Sequence, residues 1–157
     1  MSASIADTQA ALVALIAAEA TVTSDAIPVI DESRAGILEE VKTALGTKGI
    51  CVVVYDPTDG SLPKKNIPVI LCDTGWIVEV IEAPKQNRGT DGTGKWAWEI
   101  AAKVVSAIHG RPNGQLNPNH ERGQFLVQDD EDGKSFSRLP IPGENVYQIY
   151  VTTGVAL

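Results

Sequence analysis

The segment from Gly89 to Lys95 reads GTDGTGK and is the closest approach to a chemical motif in the chain. It satisfies the G-x-x-x-x-G-K pattern of a phosphate-binding loop and lies between a predicted strand and a predicted helix. Trp96 follows, however, where such a loop needs Ser or Thr to hold Mg²⁺, and an indole there would crowd the amides that wrap the phosphates. A glycine-rich turn with Thr93 capping the next helix is the simpler interpretation. A degenerate nucleotide-binding protein stays open as the alternative from another functional class.

The histidines and cysteines are too few and too scattered to predict a catalytic or metal site. His109 is expected in the last turn of a helix, where the helix dipole favours a cation. His120 lies in a turn-rich segment, with no Cys or second His at a ligand spacing. Cys51 and Cys72 each follow apolar residues, a context typical of buried, reduced thiols. We therefore expect no catalytic residue, no cofactor, no metal ion and a reducing compartment.

An acidic run, Asp129 to Asp132, precedes Gly133. A calcium-binding EF-hand loop requires oxygen ligands at alternate positions, glycine sixth and glutamate twelfth. Here glycine is the fifth residue, and no glutamate is twelfth. The run is therefore interpreted as a solvated loop that is suited to contact a basic partner.

The overall charge argues against nucleic acid and membranes as partners. Lys and Arg total 13 and Asp and Glu total 20, so the net charge is -7 and the average field repels phosphate and anionic lipid. The segment before Asp7 lacks the positive charge of a signal peptide, and the apolar stretch over 10–18 is too short to span a bilayer. We expect neither a membrane segment nor direct, sequence-specific binding to nucleic acid.

The three tryptophans, Trp76, Trp96 and Trp98, fall close together in the sequence. Residues 96 and 98 would be separated by about 200° around a helix, so both cannot face one core. One of them is expected at the surface, where Trp is a frequent anchor of protein contacts.

Hydrophobic periodicity and length predict a single α+β domain over residues 1–157. We expect a mostly antiparallel or mixed sheet of about four to five strands packed with about three helices. Whether 67–83 is one bent strand or two is left open, because Asp73 to Gly75 resembles a turn. The predicted helices cover 8–20, 37–45 and 95–108, and the predicted strands cover 27–30, 50–55, 67–83, 124–128 and 144–153.

The order of these pieces resembles the tail terminator and tail-completion (neck) proteins of long-tailed bacteriophages. The resemblance covers about residues 27–112. It rests on the segments Ile27-Pro28-Val29-Ile30, Gly36-Ile37-Leu38-Glu39-Glu40, Gly49-Ile50-Cys51-Val52-Val53-Val54-Tyr55, Val80-Ile81-Glu82-Ala83-Pro84, Asn87-Arg88, Gly92-Thr93-Gly94-Lys95 and Ile108-His109-Gly110.

The resemblance implies a virion structural protein without enzymatic activity. Such proteins form a homo-oligomeric ring, commonly a hexamer, on the completed tail tube, where they end tube polymerisation and join the tail to the head-tail connector. It implies a location in the virion tail or neck, assembled in the host cytoplasm. Another neck or head-tail joining adaptor is the alternative within the same class.

Three exposed loops are the expected contact segments, over residues 56–66, 85–94 and the acidic run. The resemblance assigns no residue roles, so the contact residues are predicted from loop exposure and side-chain type alone. The predicted contact residues are Asp56, Lys64, Lys65, Lys85, Arg88, Trp96, Asp130 and Asp132.

Overall fold

The computed structural model describes residues 5–34, 36–62, 71–89, 92–114 and 116–156. Over these ranges the chain forms five α-helices and eight β-strands. The helices are α1 (Ile5–Ala17), α2 (Ala20–Ser24), α3 (Ile37–Thr47), α4 (Pro84–Asn87) and α5 (Ala97–Ile108). The strands are β1 (Val29–Asp31), β2 (Ile50–Val54), β3 (Asp59–Ser61), β4 (Leu71–Glu82), β5 (Arg111–Pro112), β6 (Gln124–Gln128), β7 (Ser137–Leu139) and β8 (Asn145–Ala156).

The strands form one mixed sheet in the order β1-β2-β4-β8-β6-β5, with β3 paired to β4 and β7 paired to β8. Only β1 and β2 are parallel among the described strands. The long strands β4 and β8 pair over their full lengths, from Leu71 opposite Ala156 to Glu82 opposite Asn145. Strands β2 and β3 pair with β4, and β6 and β7 pair with β8, so this central pair holds four of the other six described strands directly.

The prediction of four to five strands and three helices is wrong, although the α+β class holds. The missed strands β3, β5 and β7 have two or three residues each and sequences DGS, RP and SRL, which carry no apolar alternation. They exist because β4, β6 and β8 offer free backbone groups beside them. The missed helices α2 and α4 are single turns of five and four residues.

Two helical layers cover the two faces of the sheet unequally. On one face, α1 and α5 cover alternate residues of β4, namely Trp76, Val78 and Val80, which are fully buried. On the other face, α3 packs on a smaller cluster that includes Cys51 and Val53. The apolar spacing of α5 predicts this arrangement, since its buried residues recur every three or four positions.

Strand β4 is continuous over its described length, so the question left open for 67–83 is answered for residues 71–82, which form one strand. Gly75 lies directly beneath the Tyr150 hydroxyl and the Asp59 carboxylate, where a Cβ atom would clash with both. Residues 67–70 of the predicted strand lie outside the described residues. Across the described chain, no helix combines the length and the apolar character that a membrane span requires.

Candidate contact surface

The structure brings together some of the predicted contact residues and separates others. Lys85, Arg88 and Trp96 lie in the connection between β4 and α5, and all three are exposed. Asp130 and Asp132 lie in the loop between β6 and β7. Asp56 follows β2 and accepts a hydrogen bond of 3.0 Å from the Gln9 amide. Lys64 and Lys65 lie outside the described residues.

The carboxylate of Glu82 organises the connection between β4 and α5. Glu82 is the last residue of β4, and only 1% of its surface is exposed. It is held by two side chains at the C-terminal end of α4, by the first amide of α5 and by the start of β8. The donors are Asn87 Nδ2 at 2.8 Å, Arg88 Nε at 3.0 Å and Nη2 at 3.3 Å, Asn145 Nδ2 at 3.0 Å and the Ala97 amide at 3.4 Å.

These donors also determine the ionisation of Glu82. Burial alone would raise the pKa of this carboxyl, but the hydrogen bonds from Arg88, Asn145, Asn87 and the Ala97 amide outweigh it and hold the pKa below its usual value. Glu82 is therefore a buried anion whose partners are all fixed by the fold.

The ion pair with Glu82 positions Arg88 against Trp96. The guanidinium carbon of Arg88 lies 3.9 Å from the centre of the Trp96 ring, a cation–π contact. Trp96 is still 55% exposed, because the guanidinium covers only one side of it. An exposed indole is thus held in place before any partner binds.

A shallow groove of about 670 Å³ continues from Trp96 along the start of α5. Trp98 is 54% exposed, and its ring packs edge-on against Phe136, which in turn packs against Tyr147. We call this the aromatic groove. Its lining residues are Gly94, Lys95, Trp96, Trp98, Glu99 and Tyr147.

The exposed tryptophan predicted from the sequence is confirmed, and both Trp96 and Trp98 are exposed. Trp96 is the residue that precedes α5 rather than part of it, so the helical angle between the two rings does not apply. Phe136 and Tyr147 were missed. Tyr147 reaches the groove from β8, opposite Val80 of β4. Phe136 supports Trp98 from the residue before β7, and the sequence of β7 gives no signal for its pairing with β8.

The end of the G-x-x-x-x-G-K segment does not present free amides to a phosphate. The first amide of α5 points to Glu82, and the amide of Trp96 donates to Glu99 Oε2 at 3.2 Å. Thr93 does not cap the helix as predicted. Its hydroxyl donates to Asn87 Oδ1 at 2.7 Å and accepts from the Lys95 amide. Residues 90 and 91 lie outside the described residues.

The histidines have structural hydrogen bonds. His109 follows α5, close to its predicted place, and its Nδ1 accepts from the Val127 amide at 3.0 Å, which ties the helix end to β6. His120 Nδ1 accepts from the Arg122 amide. No group of three potential metal ligands occurs among the described residues.

The two thiols differ in their surroundings. Cys51 is fully buried, and burial raises its pKa to about 12. Cys72 is half-buried, so its predicted burial is only partly correct.

The loop between β6 and β7, which we call the acidic loop, is a defined turn with exposed carboxylates. Asp130 Oδ1 accepts from the amides of Asp132 and Lys134, both at 2.9 Å. Asp129 accepts from the Ser135 hydroxyl at 2.6 Å. Residues Asp129 to Asp132 are all exposed, as the sequence predicted for a solvated loop.

Comparison with known proteins gives one informative result. Neither a protein-family model nor a curated protein matches the sequence. Among solved structures, the chain is similar to a chain from the virion of a native gene transfer agent particle, with a TM-score of 0.60 and 16% identity. The match covers 95% of this chain and 94% of that chain. The two chains share a fold.

Proposed function

We propose that this chain is a structural protein of a phage-like virion, located in the tail or neck. The observation that carries the proposal is the likeness in fold to a chain of a gene transfer agent virion, which extends over nearly the whole of both chains. A fold alone does not determine function, and the match supports the proposal by its extent, 95% of this chain and 94% of that chain.

We further propose that the protein forms a ring on the completed tail tube, stops tube growth and contacts the head-tail connector. One face of such a ring binds the tube edge, while the other lacks a template for the next tube ring, so polymerisation ends. The exposed loops and the aromatic groove supply the surfaces that these contacts need.

A contact function without catalysis fits the chemistry of the described residues. The buried carboxylate of Glu82 is neutralised by Arg88 and held by fixed side-chain amides of the fold rather than directed into a cavity. Among the described residues, the amides of Trp96 and Ala97, which directly follow the G-x-x-x-x-G-K segment, are occupied by Glu99 and Glu82. These contacts favour the virion proposal over a degenerate nucleotide-binding protein.

The proposal is tested by adding purified protein to polymerising tail tube protein of the same virion. We expect short tubes of uniform length with an extra ring at one end in electron micrographs, and a discrete ring-sized mass by light scattering. A matched sample of heat-unfolded protein controls for non-specific inhibition. Tubes of unaltered length and no bound ring would overturn the terminator role, and binding to the connector alone would indicate a different neck adaptor.

A further inference from the structure

An exposed lysine in the aromatic groove and the exposed acidic loop carry opposite charges that have no ion-pair partner among the described residues. Lys95 lines the aromatic groove, and it forms no ion pair with a carboxylate of the described residues. Glu99, which also lines the groove, accepts the Trp96 amide. The acidic loop carries four exposed carboxylates, and none of them is paired with a cation in the described part of the chain. Exposed, unpaired charges of opposite sign on one chain are complementary between two copies of it.

The groove has the properties of a preformed binding surface. Arg88 is fixed by the buried Glu82 and holds the Trp96 ring, while Phe136 supports Trp98. Rings that are already ordered lose little conformational entropy on binding, which makes them effective anchors. Trp96 and Trp98 are each more than half exposed, so a partner that binds here would bury their apolar surface.

The acidic loop has the properties of a matching ligand. Asp130 closes its turn through two amides, so the loop has a fixed shape, and the side chains of Glu131 and Asp132 remain exposed. The loop connects β6 to β7 at the surface of the molecule, where a neighbouring molecule has access to it.

We propose that the aromatic groove binds the acidic loop of a second copy of this chain, with Lys95 opposite Asp132. The contact joins two different surfaces, so each copy has a groove and a loop available for further neighbours, as a closed ring requires. The proposal rests on the ring proposed above and names the surfaces that form it. A second copy is favoured over another protein because the chain itself supplies the complementary charges.

Charge reversal tests the contact through the equilibrium of assembly, measured by sedimentation at several protein concentrations. Lys95→Glu and Asp132→Lys should each raise the dissociation constant at least about tenfold, since close charge pairs at interfaces couple by about 1.5 kcal/mol or more. Both side chains are exposed, so thermal melts should show folded protein. Lys42→Glu on α3 is the matched control, because it makes the same charge change on the opposite face of the sheet, and it should leave assembly unchanged.

Mixing the two variants gives the decisive readout. In an equimolar mixture, the reversed groove of the Lys95→Glu variant meets the reversed loop of the Asp132→Lys variant, so opposite charges face each other again. The unchanged groove of the second variant meets the unchanged loop of the first, and assembly should therefore return with alternating subunits. A double variant that carries both Lys95→Glu and Asp132→Lys should likewise assemble to within about threefold of the wild type.

The outcomes separate this inference from the ring itself. If the wild type assembles and the variants assemble equally well, the proposed groove-to-loop contact is wrong, and the ring forms through another interface. If the mixture stays as dissociated as each variant alone, the pairing of these charges is also wrong. If the wild type remains a monomer with and without tail tubes, both the ring and this contact are overturned.

Discussion

At the scale of single residues, the surface depends on one buried carboxylate. Glu82 joins the end of β4, the turn α4, the start of α5 and the start of β8, and through Arg88 it positions Trp96. Arg88 and Trp96 were predicted as contact residues from their exposure and type. Glu82 was not predicted as part of the surface, although it continues the alternation of the buried residues Trp76, Val78 and Val80 along β4.

Replacing Glu82 with Gln should destabilise the protein by about 3 kcal/mol, because Arg88 loses its buried counter-charge and the new amide hydrogens face donors. Urea unfolding monitored by circular dichroism measures this change. Glu39→Gln is the matched control. Its carboxylate pairs with Lys42 at the surface, where the pair contributes at most about 0.5 kcal/mol. Equal stabilities of the two variants would contradict the role given to Glu82.

The same residue predicts a pH dependence. The folded-state pKa of Glu82 lies below its unfolded value, so its contribution is present above the unfolded pKa of about 4.3 and is lost as the pH falls through the folded value. The stability difference between wild type and Glu82→Gln should therefore be constant between about pH 6 and 7 and shrink below about pH 4. A difference that grows on acidification would show that the native partners favour the protonated form.

At the scale of elements, the helices and strands with a regular hydrophobic period were predicted, and those without one were missed. Strand β6 was predicted at its observed residues, 124–128, and α5 within two residues of its start, because both bury residues at a regular period. The strands β3 and β7 carry no such period and depend on pairing with β4 and β8. The groove shares this dependence, which is why only its Trp96 and Trp98 side could be predicted.

Two neighbouring glycines at the end of α3 should respond in opposite ways to substitution by Ala. Gly46 has helical backbone and open space around its Cα, so Gly46→Ala should stabilise the protein by about 0.5–1 kcal/mol. Gly49 has φ +76°, and a Cβ there would clash with the backbone of Asn87 in α4. Gly49→Ala should cost more than about 2 kcal/mol, from the left-handed conformation and the displaced α4.

Paired urea titrations of the two glycine variants check this prediction. The Gly49→Ala variant should also lose part of the Trp96 environment, because α4 carries Asn87 and leads into Arg88. A Gly49→Ala variant with wild-type stability would mean that α4 moves freely against α3.

At the scale of the whole molecule, the nucleotide-binding alternative can be tested directly. A nucleotide present at about 100 times its dissociation constant would add about 2.7 kcal/mol of stability, equivalent to a rise in melting temperature of roughly 5–10 °C for a chain of this size. We expect excess Mg-nucleotide to leave the melting temperature unchanged. A rise that disappears in Lys95→Ala would instead support the nucleotide-binding alternative.

The salt dependence of assembly distinguishes charge pairing from burial of the tryptophans. The Debye length falls from about 10 Å at 0.1 M salt to about 3 Å at 1 M, so exposed charges that pair only on encounter are increasingly screened. If the charges dominate the contact between Lys95 and the acidic loop, the assembly should dissociate as salt rises, while the melting temperature of the Lys95→Glu monomer changes little.

Because assembly stabilises the folded chain by mass action, the wild-type melting temperature should also rise with protein concentration at low salt and lose that dependence at high salt. Assembly that strengthens with salt would mean that burial of Trp96 and Trp98 outweighs the charges, since salting-out favours apolar contact.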